Sequence, residues 1–216
     1  MAQEKLKIFF DLDGTLLDVS ARNYTVYSEL VNEFEGTPLN KDSYWKLKRK
    51  KAKWPELLPK SGLSPDIEKA FLERFIVRIE APQYLKSDVL FSESRRVLED
   101  LSSRFDCCLV SLRRNEMNLL EELKRLNIYN YFDKVLSGHS ESDGYDKKID
   151  LIRNEIGSHK AVIIGDTEAD IVTGRTLAMT TVALTSGIRD EQFLAALSPD
   201  YMIDRIGELL GLPVFR

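Results

Sequence analysis

Four short apolar runs constrain this chain more than any other feature, because each stops abruptly at polar residues and helical segments lie between them. They are LKIFF at 6–10, CCLV at 107–110, AVIIG at 161–165 and TTVAL at 180–184. Runs of four or five residues that are apolar on both faces suit strands covered on both sides, and their alternation with helices predicts an α/β fold around a mostly parallel, Rossmann-like sheet. A weaker strand is predicted at Lys134–Ser137. YMID near the end of the chain reads as a short extended piece before a final helical turn or two. Two helices are marked by their patterning. SESRRVLEDLSSRF (92–105) opens with Ser92 as a cap, and NEMNLLEELKRLNI (115–128) carries Met117, Leu120, Leu123 and Leu126 as an apolar stripe.

The first connection breaks the alternation. Between about Ser20 and Leu85 no stretch reads as a strand, while NYTVYSELVNEFEG and IEKAFLERFIVRIEA both read as helices. A strand-to-helix loop needs only a few residues. The excess predicts an α-helical cap domain over 18–87, inserted into an α/β core made of 1–17 and 88–216. Within the insertion, KLKRKKAKW (46–54) is the one concentrated basic stretch, and it reads as a solvated helical face.

Composition removes several classes of function. The 216 residues are 43% hydrophobic with a formal net charge of −4, which gives no support to nucleic-acid binding. No apolar stretch suits a signal peptide or a membrane span, so a cytoplasmic protein without a membrane partner is expected. Cys107 and Cys108 adjoin inside an apolar run and read as core thiols. With His139 and His159 as the only histidines, a histidine-rich metal site is excluded.

The chemistry sits where the runs end. Asp11 and Asp13 follow the first, Ser111 the second and Asp166 the third, with Asp170 one helical turn further on. In a parallel sheet these positions share one carboxyl edge, where open α/β folds bind ligands. Four carboxylates gathered there repel one another unless a cation compensates them. Oxygen donors of this kind suit Mg²⁺.

These residues resemble the motifs of the haloacid dehalogenase-like superfamily, in its phosphatase branch. DLDGT stands at 11–15, a strand-closing serine at Ser111, and GDTEAD at 165–170; the motif lysine is Lys148, with Lys147 as the alternative. The resemblance implies Asp11 as nucleophile and Asp13 as acid and base. Ser111, with the N–H of Leu112, would hold the transferring phosphoryl group, and Lys148 would neutralise charge. Mg²⁺ would be bound by Asp11, the Asp13 carbonyl and Asp166, with Asp170 ligating it or orienting its waters. Asp13 argues against the dehalogenase and phosphonate-cleaving branches. The implied substrate is a small phosphorylated metabolite, with phosphoglycolate as the named guess and sugar phosphates or nucleotides as alternatives. A phosphomutase like β-phosphoglucomutase and a non-catalytic Mg²⁺-dependent binding protein are the other readings, and a monomer or homodimer is expected. Arg113 and Arg114 read as surface charge.

Overall fold

The computed structural model describes residues 5–139, 145–157 and 160–216, so His159 lies outside the described residues. In chain order the elements begin with β1 (Lys7–Phe10) and β2 (Leu17–Asp18). A helical stretch follows, made of α1 (Ser20–Glu33), α2 (Lys41–Arg49), α3 (Trp54–Leu57), α4 (Glu68–Ile79) and α5 (Pro82–Leu85). The chain returns through β3 (Val89–Leu90) and then alternates: α6 (Ser94–Arg104), β4 (Asp106–Ser111), α7 (Glu116–Arg125), β5 (Lys134–Ser137), α8 (Tyr145–Ile156), β6 (Ala161–Gly165), α9 (Glu168–Thr176), β7 (Thr180–Leu184), α10 (Glu191–Ala195) and β8 (Tyr201–Ile203). A 3₁₀ segment, Ile206–Gly211, supplies the helical turns expected after YMID. No helix among the described residues is long and apolar enough to cross a membrane.

Two compact units result, one from residues 1–18 and 89–216, the other from residues 19–88. In the first, six strands form one sheet in the order β5-β4-β1-β6-β7-β8. Every neighbouring pair is parallel. The four apolar runs are therefore strands, and β6 and β7 are almost wholly buried because helices cover both faces of such a sheet. From β1 the chain steps outward to β4 and β5, then returns to the other side of β1 for β6. That reversal makes the end of β1 a topological switch point, where a crevice opens between diverging loops. β2 and β3 pair antiparallel in a separate two-stranded ribbon.

Two patterning expectations need correction. α6 starts at Ser94 rather than at a Ser92 cap, and the Ser94 hydroxyl donates to the Leu16 carbonyl at 2.9 Å. On α7 the buried residues are Leu119, Glu122 and Leu123, whereas Met117 is 68% exposed. A strict spacing of three drifts about 60° per step on a helix of 3.6 residues per turn, so Met117 and Leu126 end on opposite sides.

The unit of residues 19–88 has its own core of Val26, Tyr27, Leu30, Val31, Tyr44, Leu58, Leu63, Phe71 and Phe75. Tyr27 and Tyr44 stack with ring centroids 4.1 Å apart, and Trp54 lies against Phe71 and Phe75. α2 carries Lys46, Lys48 and Arg49 in its last turn, where cations meet the negative end of the helix dipole.

Candidate active site

The turn that follows β1 begins the site. After Phe10 the Asp11 N–H still donates to the Ile164 carbonyl at 2.9 Å, so Asp11 remains in the sheet beside β6. The chain then folds back on itself, with the N–H groups of Thr15, Leu16 and Leu17 all reaching the Leu12 carbonyl. Gly14 takes φ +89° in this turn, a left-handed conformation that side chains disfavour. A Cβ at Gly14 or at Gly187 would also strike the Asp166 carboxylate. The two glycines thus leave room for that acid between two loops.

Asp166, fully buried at the end of β6, is held on both oxygens. The Thr15 hydroxyl donates to Oδ1 at 2.9 Å and the Ile188 N–H to Oδ2 at 2.5 Å. Ile188 is presented by the loop after β7, which a two-point ion pair from Arg189 to Glu168 ties to the start of α9. Asp170, in the first turn of α9, accepts from the N–H and hydroxyl of Thr167 through Oδ2. Its Oδ1 accepts from Lys148 Nζ at 2.5 Å, and the same ammonium donates to Asp11 Oδ1 at 2.6 Å. Lys148 is only 1% exposed, whereas the Lys147 side chain runs beside Gly138. The geometry therefore brings Lys148 to the acids.

The structure unites Asp11, Asp166 and Asp170 into one cluster: one carboxylate oxygen from each lies within 4.8 Å of the others. Burial raises the Asp11 carboxyl to about 7 despite the opposing charge of Lys148, and the Asp170 and Asp13 charges push the same way. Burial and the charges of Asp11 and Asp170 hold Asp166 well above the usual carboxylate range, against the hydrogen bonds from Ile188 and Thr15. For Lys148, burial works against the charge, but Asp11 and Asp170 outweigh it and raise its pKa. Three carboxylates against one ammonium leave two negative charges to be compensated when all are ionised. Oxygen donors carrying that charge fit a hard divalent cation.

Ser111 closes β4, the neighbour of β1, and is 3% exposed. Asp13 is not one of the three clustered acids. Both of its oxygens accept from Arg113, Oδ2 from Nε at 3.0 Å and Oδ1 from Nη2 at 2.5 Å. Arg113 is not surface charge: it is 4% exposed and donates its remaining Nη1 to Glu122. The energetic reason is pairing, since a buried guanidinium is tolerated only with its donors matched. Burial alone would lower its pKa, but Asp13 and Glu122 raise it further still. One sequence signal pointed to this pair, a glutamate at 122 on the otherwise apolar face formed by Leu119 and Leu123.

Comparison with known proteins agrees with this geometry. The family model for haloacid dehalogenase-like hydrolases matches residues 8–184. A phosphoglycolate phosphatase from Synechococcus elongatus is 26% identical over 204 residues, covering 94% of each chain. The pyrophosphatase PpaX of Bacillus velezensis is 25% identical over 221 residues, covering 95% of this chain and 94% of its own. Among solved structures, a haloacid dehalogenase-like hydrolase from Streptococcus pneumoniae superposes with a TM-score of 0.76 at 23% identity, over 96% of this chain and 97% of that one. With a matching model across most of its length and the motif acids gathered at one sheet edge, this chain belongs to the haloacid dehalogenase-like hydrolase family.

Proposed function

We propose that the chain is an Mg²⁺-dependent phosphatase that hydrolyses a small phosphomonoester through an aspartyl-phosphate on Asp11, with phosphoglycolate as the leading substrate. The observation that carries this reading is the convergence of Asp11, Asp166, Asp170 and Lys148 at one strand edge, with Asp13 held separately on the same turn as Asp11. Asp11, Asp166 and the Asp13 main-chain carbonyl would hold Mg²⁺, with Asp170 ligating it or orienting its waters. The ion supplies compensation for the clustered carboxylates and for the phosphoryl charge. In this reading residues 19–88 form the cap domain.

The chain's own groups then have distinct tasks. A carboxylate oxygen of Asp11 attacks phosphorus, and the bond from phosphorus to the ester oxygen breaks in line with it. Asp13 delivers its proton to the departing alkoxide. It then takes a proton from water, which attacks phosphorus and breaks the bond to Asp11, releasing phosphate and restoring both acids. Ser111 and the Leu112 N–H steady the transferring oxygens, and Lys148 offsets negative charge on Asp11 during transfer.

Pyrophosphate hydrolysis is the second reading, favoured by the similarity to PpaX across nearly the whole chain. A panel of phosphoglycolate, pyrophosphate, β-glucose 1-phosphate, hexose phosphates and nucleoside monophosphates, assayed for phosphate and for isomerised product with and without Mg²⁺, tests both. Preferential phosphate release from phosphoglycolate is the expected result. Conversion of β-glucose 1-phosphate to glucose 6-phosphate without release would replace hydrolysis by mutase chemistry. No turnover on any member would overturn the enzyme reading.

A further inference from the structure

Asp13 carries the proton in the proposed cycle, so its orientation decides the rate of ester cleavage, and the structure shows what sets that orientation. The Arg113 guanidinium grips both Asp13 oxygens with two of its nitrogens and commits the third to Glu122. Glu122 is 3% exposed and is itself shared with Arg125, whose Nη2 donates to Oε1 at 3.1 Å. The helix that carries Glu122 is started by Asn115, whose side chain accepts from the Asn118 N–H at 3.0 Å. Between these anchors the Arg113 N–H also reaches the Ser111 hydroxyl at 3.4 Å. A five-residue stretch, 111–115, therefore joins the proposed phosphate clamp to the proton carrier and to α7.

We propose that Arg113 is a positioning residue, a rigid fork braced by Glu122 that fixes the plane of the Asp13 carboxyl group, which in its protonated form gives its proton to the leaving oxygen and as the carboxylate takes one from the attacking water. The role rests on the phosphatase reading and adds a residue to it. A planar guanidinium making two parallel hydrogen bonds fixes both the plane and the distance of a carboxylate, which a lysine ammonium does not. The burial contrast supports the direction of control. The side chain of Arg113 is 3% exposed and that of Asp13 is 25%, so the fork is the fixed partner and the carboxylate the one with an open edge.

The test is single-turnover release of the leaving group from phosphoglycolate and from p-nitrophenyl phosphate, whose phenolate departs with little protonation. Misplacing a catalytic group by about 1 Å costs on the order of 100-fold, so Arg113→Lys should slow glycolate release by about that factor while leaving half-saturation within about twofold. Release of p-nitrophenolate should fall by less than about fivefold, since the same displacement hardly touches a step that needs little proton transfer. In an Asp13→Asn background, Arg113→Lys should add nothing to the loss on phosphoglycolate, because the fork then has no proton carrier to place. Equal losses on both esters, or full additivity with Asp13→Asn, would overturn the positioning role and leave Arg113 a structural residue; so would unchanged rates. Glu122→Gln, which removes the brace but keeps the shape, should show the same selectivity at smaller amplitude and serves if Arg113→Lys does not fold. A wild type that cleaves neither ester would overturn the phosphatase reading itself and this role with it.

Discussion

The two compact units treat buried charge in opposite ways. In the α/β unit the carboxyl edge of the sheet collects Asp11, Asp166, Asp170 and Lys148, with more acid than base, and desolvation raises the pKa values of Asp11 and Asp166. In the unit of residues 19–88 the core is aromatic, and a buried ion pair joins Arg22 to Asp88 at 3.1 Å, both under 5% exposed. Arg22 also donates Nη1 to the Ile79 carbonyl. Arg22 and Asp88 come from the two ends of the unit, so the pair ties its start to its finish. An unbalanced cluster can bind a cation, whereas a balanced pair only closes a structure.

The strongest way to break this comparison is at Asp11. Asp11→Asn should lower turnover by at least about 10³-fold by removing the proposed nucleophile, yet leave the thermal midpoint unchanged or higher, since a crowded carboxylate is lost. A pH series adds the sign. The Asp11 carboxyl is raised from 3.8 to about 7, so across that window the folded chain holds more protons than the unfolded one. The stability it contributes is therefore greatest at low pH and declines as pH rises through 7. In chelator, the Asn variant should gain on the wild type over that range, as measured by urea denaturation. A parallel response of the two proteins to pH would contradict the unbalanced site.

Removing one cation from each unit sharpens the contrast. Lys148→Met takes the shared cation from Asp11 and Asp170, and Arg22→Met takes the Arg22 cation from Asp88. Each should cost about 3–5 kcal/mol of folding stability. Millimolar Mg²⁺ should restore much of the Lys148→Met loss and none of the Arg22→Met loss, measured as shifts in the denaturation midpoint. Equal restoration, or none in either, would show that the two clusters do not differ in kind. The smallest expected effect lies in the aromatic core. The Tyr44 hydroxyl is fully buried with no hydrogen-bond partner among the described residues. Tyr44→Phe should be neutral or stabilise by up to about 1 kcal/mol while keeping the stack on Tyr27.

Much of the α/β unit was legible because strands buried on both faces must be apolar throughout. AVIIG and TTVAL coincide with β6 and β7 for that reason. The gathering of acids at the strand ends was equally legible, since a parallel sheet brings the ends of its strands to one edge. β2 and β3 were not, because two residues carry no period and their pairing depends on chain ends 70 residues apart. The short helix α3 was lost for want of length. The α7 stripe failed because a spacing of three mimics a face over one turn only. Arg113 was misread for a different reason: its partner Asp13 lies 100 positions away, and Glu122 gained meaning only when Leu119 and Leu123 proved to be the buried face.

The place of β1 bears on how the chain is made. It is synthesised before either of its two neighbours in the sheet, β4 and β6. At roughly 5–20 residues per second, about 8 to 30 seconds separate the synthesis of Phe10 from that of Gly165. In that interval the whole of residues 19–88 is available to fold on local contacts, which form fastest. β1 must be kept from wrong partners meanwhile. Its brevity helps, because four residues offer a stray strand little to pair with. β1 is thus made before both of its sheet neighbours, and its pairing can be complete only once β6 has been made.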